Sequence, residues 1–222
     1  MSRSHRRAAK TPPWLGVLVD TDERWSNYLY ILGTAYPRFL WLFFEYSGDG
    51  IVWLAIALAA FFQPRATLTQ QTLVLNFLAG WALDLVLVGT LKFLIRRRRP
   101  VYNVAEDFLV VVAVDAHSFP SGHAARVSFI AQFLILCLGR AYPRLSFLAM
   151  YWAVSTALSR AAMGRHYLAD VAAGLLVGVG TVLLVSKGGY SRDTLLVSQA
   201  QTRALRQWAQ SWLHGKGIAR AG

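Results

Sequence analysis

The sequence has 222 residues, 55% of them hydrophobic and 15% charged, with a formal net charge of +12. It is too apolar for an ordinary soluble domain, and its apolar stretches approach the roughly 20 residues that cross a bilayer, so we predict an integral membrane protein. The cations lie at the ends of these stretches and in both tails, which indicates contact with membrane lipids and argues against a nucleic-acid partner. The single cysteine, Cys137, excludes an intramolecular disulfide and a cysteine-based metal cluster.

We interpret the chain as one domain between two basic tails. Residues 1–24 are predicted to form a basic N-terminal tail, residues 25–190 a membrane-embedded domain and residues 191–222 a basic C-terminal tail. In the C-terminal tail, Trp208 and Trp212 recur at helical spacing beside basic residues. This pattern suggests a helix lying in the membrane interface, and the alternative is a disordered basic tail.

Five apolar stretches of the domain are candidate membrane spans. In chain order they are residues 50–62, 72–94, 123–138, 145–162 and 167–186. A sixth candidate, residues 25–44, is interrupted by Pro37 and Arg38. If this stretch crosses the membrane there are six spans, which we prefer because both termini then lie in the cytosol; if it lies in the interface there are five.

The first chemically suggestive segment follows the second of these spans. Lys92 and the pair Arg99-Pro100 place two cations near a helix end. An arginine presents a planar fork that matches phosphate oxygens, and a lysine acts as a point charge. The same lysine with the arginines at 96–99 could equally be a basic stop at a membrane face.

The second segment is Pro120-Ser121-Gly122-His123. It supplies a hydroxyl, a backbone without a side chain and an imidazole, at a position where a helix start would expose N–H groups to an anion. A plain turn and helix cap is the alternative interpretation.

The third segment contains Ser159-Arg160, then His166 and Asp170. On a helix, residues four apart share one face, where a carboxylate can fix the imidazole tautomer and stabilise the imidazolium that forms on nucleophilic attack. A His-Asp pair near an arginine indicates phosphoryl chemistry. Alone, the pair could be an ordinary contact on a helix surface.

Together, in this order and spacing, the segments resemble the three-part motif of the type 2 phosphatidic acid phosphatase (lipid phosphate phosphatase) superfamily, which also contains the vanadium haloperoxidases. Every motif position is matched: Lys92, Arg99, Pro100, Pro120, Ser121, Gly122, His123, Ser159, Arg160, His166 and Asp170. The resemblance covers roughly residues 73–185 and is closest to the polyisoprenoid diphosphate phosphatase branch, whose members include presqualene diphosphate phosphatases. It implies an all-α, polytopic membrane bundle of five to six spans with a haloperoxidase-like phosphatase core.

The motif and the resemblance predict a lipid phosphate phosphatase, with polyisoprenoid diphosphates of the presqualene or farnesyl type as expected substrates. His166 is the expected nucleophile, Asp170 orients it, and His123 protonates the leaving oxygen. The phosphate is held by Lys92, Arg99, Ser121, Gly122 and Arg160. Fixed cations take the place of a metal, so no cofactor is expected.

Other functions stay open at this point. They are a broad-specificity phosphatidic acid or sphingoid phosphate phosphatase, a lipid phosphotransferase, a vanadium haloperoxidase and a catalytically inactive membrane scaffold. The partners expected in every case are membrane lipids, and the sequence specifies no oligomeric state.

Four surplus arginines, Arg96, Arg97, Arg98 and Arg126, are candidates to contact a second phosphate. If the helix continues beyond residue 94, Arg96 and Arg99 lie on one face. The alternative is that these arginines bind anionic headgroups.

Other polar residues are assigned structural roles. Asn76 and Asp84 should face the bundle and form interhelical hydrogen bonds. Glu106, Asp107 and Asp115 lie in the long loop at no spacing typical of a metal cage, and we interpret them as a solvated or arginine-paired loop face.

The order of the spans brings all three motif segments to one side of the membrane. The opposite side would carry Arg65, Arg140, Arg144, Lys187 and Arg192, and the positive-inside rule identifies that side as cytosolic. The catalytic side is therefore expected to be lumenal or otherwise extracytosolic, in the endoplasmic reticulum or, alternatively, in a plastid or other organellar membrane.

Overall fold

The computed structural model describes residues 12–103, 117–139, 141–189 and 203–213. Every regular element in these ranges is a helix, which confirms the predicted all-helical class. In chain order the helices are α1 (Pro13–Thr34), α2 (Arg38–Ser47), α3 (Gly50–Phe62), α4 (Leu68–Ile95), α5 (Gly122–Leu138), α6 (Pro143–Ala162), α7 (Leu168–Gly189) and α8 (203–213). Residues 1–11 of the basic N-terminal tail, the loop acids Glu106, Asp107 and Asp115, and Arg140 and Arg192 lie outside the described residues.

Local sequence signals define the ends of α4. Thr67 and Gln70 form a reciprocal capping box at its start, which satisfies two backbone donors that would otherwise have no partner. At the other end Arg96 adopts a left-handed conformation with φ of 50°. The chain therefore leaves the helix directly after the turn that carries Lys92.

Helix α5 is the centre of the bundle, and α7 packs against it at very short range. A Cβ added to Gly174 would lie 2.5 Å from the carbonyl oxygen of Ser121, and one added to Gly178 would lie 2.3 Å from that of Ala125. Small residues four apart allow two helix backbones to approach closely. Close packing keeps the start of α7, where the third motif segment ends, beside the start of α5, which carries the second.

Helix α6 packs on α5 through a row of alanines at helical spacing. The row is Ala149, Ala153, Ala157 and Ala161, which with Val127 of α5 belongs to one buried apolar cluster. Since small side chains let the helices lie close together, the last turn of α6 is brought to the first turn of α5. Arg160 is thereby delivered to the same end of the bundle as Lys92.

Helix α1 lies across this end of the bundle, and the predicted span 25–44 is wrong. Asp22 pairs with Arg97, the Tyr30 ring stacks on Tyr102 with centroids 4.6 Å apart, and Gly33 packs against the carbonyl oxygen of Ala162. These partners follow the end of α4 or lie in the last turn of α6, so α1 runs along one end of the bundle without crossing.

The N-terminal boundaries change accordingly. The chain breaks between α1 and α2, before Pro37, because proline fixes its own φ and excludes the helical conformation from the residue before it. The predicted boundary at residues 24 and 25 falls inside α1. Helix α1 therefore does not supply the sixth crossing that we preferred.

Among the described residues, α4 and α7 are each long and apolar enough to cross a membrane. The α2–α3 pair, bent by 47°, makes a third candidate as one broken span, and α5 is a shorter apolar helix. The Asp49 side chain accepts hydrogen bonds from the N–H groups of Ile51 and Val52 at the bend. These interactions start α3 inside the bundle, close to the first turn of α5.

The opposite end of the bundle carries the other basic turns. Arg65 follows α3, Arg144 begins α6 and Lys187 lies in the last turn of α7. Residues 203–213 form the helix that their spacing predicts, and Arg206 donates a hydrogen bond of 3.4 Å to the carbonyl oxygen of Pro64. Its location in the membrane interface remains a prediction.

Candidate functional site

The three motif segments are joined by hydrogen bonds at one end of the bundle. Arg99, from the first segment, donates to the carbonyl oxygen of Arg165 at 2.9 Å. The Ser121 N–H, from the second, donates to the carbonyl oxygen of Asp170 at 2.9 Å. Lys92 donates to the carbonyl oxygen of His117, which precedes the second segment. The structure therefore brings together residues that are up to 78 positions apart in the chain.

His166 is buried, with 2% of its surface exposed, and lies in the turn before α7. Its Nδ1 is 2.7 Å from the carbonyl oxygen of Ser118. Because a carbonyl oxygen only accepts hydrogen bonds, Nδ1 carries the ring proton in this contact and Nε2 keeps its lone pair. The geometry selects the tautomer in which Nε2 is nucleophilic.

The charge environment also favours a neutral His166. Burial lowers the pKa of its imidazole well below the ordinary value of 6.5, and the nearby cations Arg99, Arg160 and Lys92 lower it further. Both effects penalise the protonated ring. A neutral ring with a free Nε2 is the form that can attack an electrophile.

The predicted role of Asp170 needs correction in one respect. Its Oδ2 is 3.9 Å from Nδ1 of His166, which is too long for a hydrogen bond. Instead, Oδ2 accepts from the Tyr167 N–H at 2.9 Å, and Oδ1 accepts from Arg97 at 2.8 Å. His166 precedes the helix and turns toward the Ser118 carbonyl, so Asp170 acts on the backbone of the turn and not directly on the ring.

Arg97 is committed to an ion-pair bridge, contrary to its predicted contact with a second phosphate. Its guanidinium pairs with Asp22 at 2.7 Å and with Asp170 at 2.8 Å. Burial lowers its pKa, but the hydrogen bonds and charges of the two carboxylates outweigh burial and raise the pKa overall. Arg97 therefore links Asp22 of α1 to Asp170 in the first turn of α7, close to the His166 turn.

The other three surplus arginines have different positions. Arg96 lies beyond the end of α4, donates to the carbonyl oxygen of Phe93 at 2.9 Å and stacks on the same ring; the helix does not continue, so the expected shared face with Arg99 does not form. Arg98 is exposed and lines a surface cavity of about 390 Å³ beside the site.

Arg126 also departs from its predicted contact with a second phosphate. Its guanidinium lies inside the bundle, 3.9 Å from Asp84 and in the space that a side chain on Gly50 would occupy. Asp84 is fully buried on α4. The two residues thus form an interhelical ion pair. The role of Asp84 is structural, but the predicted interhelical hydrogen bond is not formed, because neither carboxylate oxygen has a hydrogen-bond partner among the described residues. A charge so enclosed requires its ion-pair partner.

Two buried residues were missed by sequence reasoning. Oε1 of Glu45, on α2, lies 3.7 Å from Arg160 and 4.0 Å from Arg165. All three side chains are at most 5% exposed. The available signals were weak: Glu45 is the one acid of an otherwise apolar helix apart from Arg38, and Arg165 directly precedes His166. The carboxylate offsets the charge of two arginines that flank the site.

The first turn of α5 supplies the remaining predicted groups. The Ser121 hydroxyl caps the helix by accepting from the Ala124 N–H at 3.5 Å. A Cβ on Gly122 would meet only Val88, at an ordinary 3.6 Å, so protein packing leaves space above its backbone. Nε2 of His123 is buried and has no hydrogen-bond partner among the described residues. An anion here would meet a helix N-terminus and an imidazole nitrogen, Nε2, that has no partner among the described residues.

Groups of three or more metal-ligating side chains do not occur in the part of the chain that the structure describes. Three cations, Lys92, Arg99 and Arg160, lie close enough to His166 to lower its pKa, and the start of α5 lies at the same end of the bundle. Such an arrangement suits a phosphate dianion, which arginine and helix N-termini bind well.

Comparison with known proteins gives consistent matches. The PAP2 superfamily profile matches residues 73–192. A probable lipid phosphate phosphatase beta of Arabidopsis thaliana is 31% identical over 194 residues, covering 76% of this chain and 89% of the relative. An undecaprenyl-diphosphatase of Sulfolobus acidocaldarius is 30% identical over 63% of this chain and 64% of its own length.

A solved structure shares the fold. The crystal structure of a transmembrane PAP2 type phosphatidylglycerolphosphate phosphatase from Bacillus subtilis superposes with a TM-score of 0.61 and 25% sequence identity, over 79% of this chain and 89% of that one. The matched length includes helices outside the motif region, so the likeness extends to the arrangement of the bundle.

Proposed function

We propose that this chain, which belongs to the PAP2 superfamily and is an integral membrane hydrolase, removes phosphate from polyisoprenoid diphosphates through a phosphohistidine intermediate. One observation carries the proposal. Nδ1 of the buried His166 is bound to the Ser118 carbonyl, so Nε2 keeps its lone pair, and the nearby cations Arg99, Arg160 and Lys92 add to burial in lowering the pKa of the ring. This arrangement pairs a nucleophile with a cradle for the phosphoryl oxygens.

In the first step Nε2 of His166 attacks phosphorus, and the bond from phosphorus to the bridging or ester oxygen breaks. The Nδ1–H stays on the ring and continues to donate to the Ser118 carbonyl. The positive charge that develops on the imidazole lies near Asp170, at 3.9 Å. At this distance the carboxylate acts through its charge alone.

His123 is the proposed proton carrier. It gives a proton to the leaving oxygen in the first step and takes one from the attacking water in the second, which breaks the N–P bond and releases phosphate. A helix N-terminus disfavours a protonated ring. A bound phosphate dianion offsets this effect, so substrate binding itself would prepare the acid.

The phosphoryl charge is held by the cations and by the start of α5. Arg99 and Arg160 present guanidinium groups, Lys92 adds a point charge, and the Gly122 N–H belongs to the first turn of α5. Fixed donors of this kind stabilise charge where it develops in the transition state and need no reorganisation.

A diphosphate substrate is supported by the surroundings of the cradle. The relative from Sulfolobus acidocaldarius carries the name undecaprenyl-diphosphatase. On this chain Arg98 is exposed beside the site and is not held in an ion-pair bridge like that of Arg97. If the second phosphate of a bound diphosphate extends from the cradle toward the surface, it would contact the Arg98 guanidinium.

The distribution of charge supports an extracytosolic site, with the endoplasmic reticulum as the proposed membrane. Arg65, Arg144, Lys187, Arg203 and Arg206 lie at the end of the bundle opposite the site. The positive-inside rule assigns that end to the cytosol.

The deciding experiment is phosphate release by purified protein in detergent from farnesyl diphosphate, farnesyl monophosphate and phosphatidic acid. We expect turnover of all three, with the highest kcat/KM for the diphosphate, and a phosphoprotein that is stable to alkali and labile to acid. Turnover without such a species would overturn the phosphohistidine route. A preference for phosphatidic acid would overturn the substrate assignment.

A further inference from the structure

Helix α1 lies outside the region that the PAP2 profile matches, residues 73–192, yet its side chains bind the start of α7, directly after the turn that carries His166. We propose that Asp22 of α1 is a positioning residue, which holds the His166 turn and the start of α7 in the geometry needed for phosphoryl transfer. The inference deepens the proposed function and rests on it.

The first backbone donors of α7 are satisfied from two helices. Those at the start of a helix have no partner within it. The Tyr167 N–H is bound by Asp170 of α7 itself, but the Leu168 N–H donates to the Ser26 hydroxyl at 2.8 Å and the Ala169 N–H to Oδ1 of Asp22 at 2.9 Å. Helix α1 therefore caps α7 from outside.

The second oxygen of Asp22 completes a chain of charges. Oδ2 accepts from Arg97 at 2.7 Å, and the same guanidinium donates to Asp170 at 2.8 Å while lying 4.0 Å above the Tyr167 ring. The Asp22 carboxylate thus fixes one end of a bridge whose other end is Asp170. Hydrogen bonds between charged groups are the strongest of this kind, so the bridge is an effective anchor.

Contacts further along α1 keep Asp22 in register. Ser26 is fully buried and donates to the carbonyl oxygen of Asp22 at 2.6 Å. Gly33, two turns further along, is pressed against Ala162, where an added Cβ would lie 2.3 Å from the carbonyl oxygen. The contact face of α1 therefore follows the chain from the end of α6 to the start of α7, on both sides of His166.

The test compares Asp22→Asn with Asp20→Asn on a lipid monophosphate that the wild type hydrolyses. Asp20 is exposed and two residues away, about 200° around the helix, so it controls for the loss of one charge on α1. For Asp22→Asn we expect kcat to fall roughly 10- to 100-fold with KM within about threefold, because the cradle cations remain. Asp20→Asn should retain wild-type values.

Two further variants separate positioning from simple loss of stability. Asp22→Glu keeps the charge and should recover part of kcat. Arg97→Gln should lower kcat similarly, and the double variant should lose no more than the worse single one, since both break the same bridge. Wild-type kcat in Asp22→Asn, an equal loss in Asp20→Asn, or additive losses would overturn the inference.

A readout that needs no turnover distinguishes a failure of this inference from a failure of the proposed function. Diethyl pyrocarbonate modifies neutral, accessible imidazoles, and mass spectrometry gives its rate at His166. We expect at least a threefold faster modification in Asp22→Asn than in wild type or Asp20→Asn, because the turn is released. An inactive wild type would overturn the proposed function, and equal modification rates would overturn the positioning role.

Discussion

Nδ1 of His166 lies 2.7 Å from the carbonyl oxygen of Ser118 and 3.9 Å from the carboxylate of Asp170. The ring is therefore oriented by the backbone that precedes the second motif segment, while the carboxylate organises the turn. This relationship places the reactive lone pair on Nε2. The motif alone would assign the orientation of the ring to Asp170, but the Ser118 carbonyl takes that role.

Removal of the nucleophile should abolish turnover. His166→Ala is expected to lower kcat about 10⁴-fold or more, because no nearby group replaces a covalent nucleophile. Single-turnover phosphate release by protein of verified size and yield measures the effect. His214→Ala, in the C-terminal tail, is the matched histidine control, and residual activity of His166→Ala within about tenfold of wild type would contradict the mechanism.

The acid side of the pH profile should report His166. The pKa of its imidazole lies well below 6.5, so the nucleophile stays neutral at pH 6.5. We therefore expect kcat/KM to stay constant on the acid side until the pH approaches this lowered pKa. Replacing one of the cations that depress the pKa, as in Arg99→Gln, raises the pKa and should move the acid limb to higher pH. Profiles measured from pH 4 to 8 test the direction; an unchanged or lower acid limb in the variant would speak against this assignment.

Vanadate should inhibit and chelators should not. Vanadate adopts the five-coordinate geometry of the transferring phosphoryl group, and the cations Lys92, Arg99 and Arg160 are placed to hold its oxygens. We expect competitive inhibition by vanadate and full activity in excess EDTA. Activity that requires added Mg²⁺ or Zn²⁺ would refute the cation cradle and direct attention to the loop acids Glu106, Asp107 and Asp115.

Glu45 should stabilise the fold by offsetting two buried arginines. In Glu45→Gln the carboxylate near Arg160 and Arg165 is lost, and removal of one partner from a buried ion pair costs about 3–5 kcal/mol. Thermal unfolding should shift to lower temperature, and inorganic phosphate should restore part of the loss because an anion replaces the missing charge. Glu23→Gln, exposed on α1, is the control; equal unfolding temperatures in the two variants would exclude this role.

Arg98 should distinguish diphosphates from monophosphates. A charge-assisted contact to a second phosphate is worth about 1.5–3 kcal/mol, so Arg98→Ala should lower kcat/KM for farnesyl diphosphate roughly 10- to 150-fold and change that for farnesyl monophosphate little. Arg96→Ala, whose guanidinium is held on Phe93, is the matched control. An equal fold loss of kcat/KM for both substrates would contradict the contact with a second phosphate and would support only a general lipid phosphatase activity.

The helical class and the motif chemistry could be predicted from local features of the sequence. The length and composition of the apolar stretches indicated a membrane bundle, and the spacing of the motif residues indicated the superfamily. Each of these features is contained in short stretches of the chain. Counting spans also predicted that the segments of Lys92, His123 and His166 meet at one end. No contact between distant residues was needed for these conclusions.

The tertiary structure decided which charges face the substrate and which face each other. Arg97 and Arg98 are neighbours in a run of four arginines, yet one is bound by Asp22 and Asp170 and the other is exposed. Asp22 is 75 positions from Arg97 and 147 from Ala169. Pairings over such distances depend on how the helices pack, and a pattern of neighbouring residues carries no information about them.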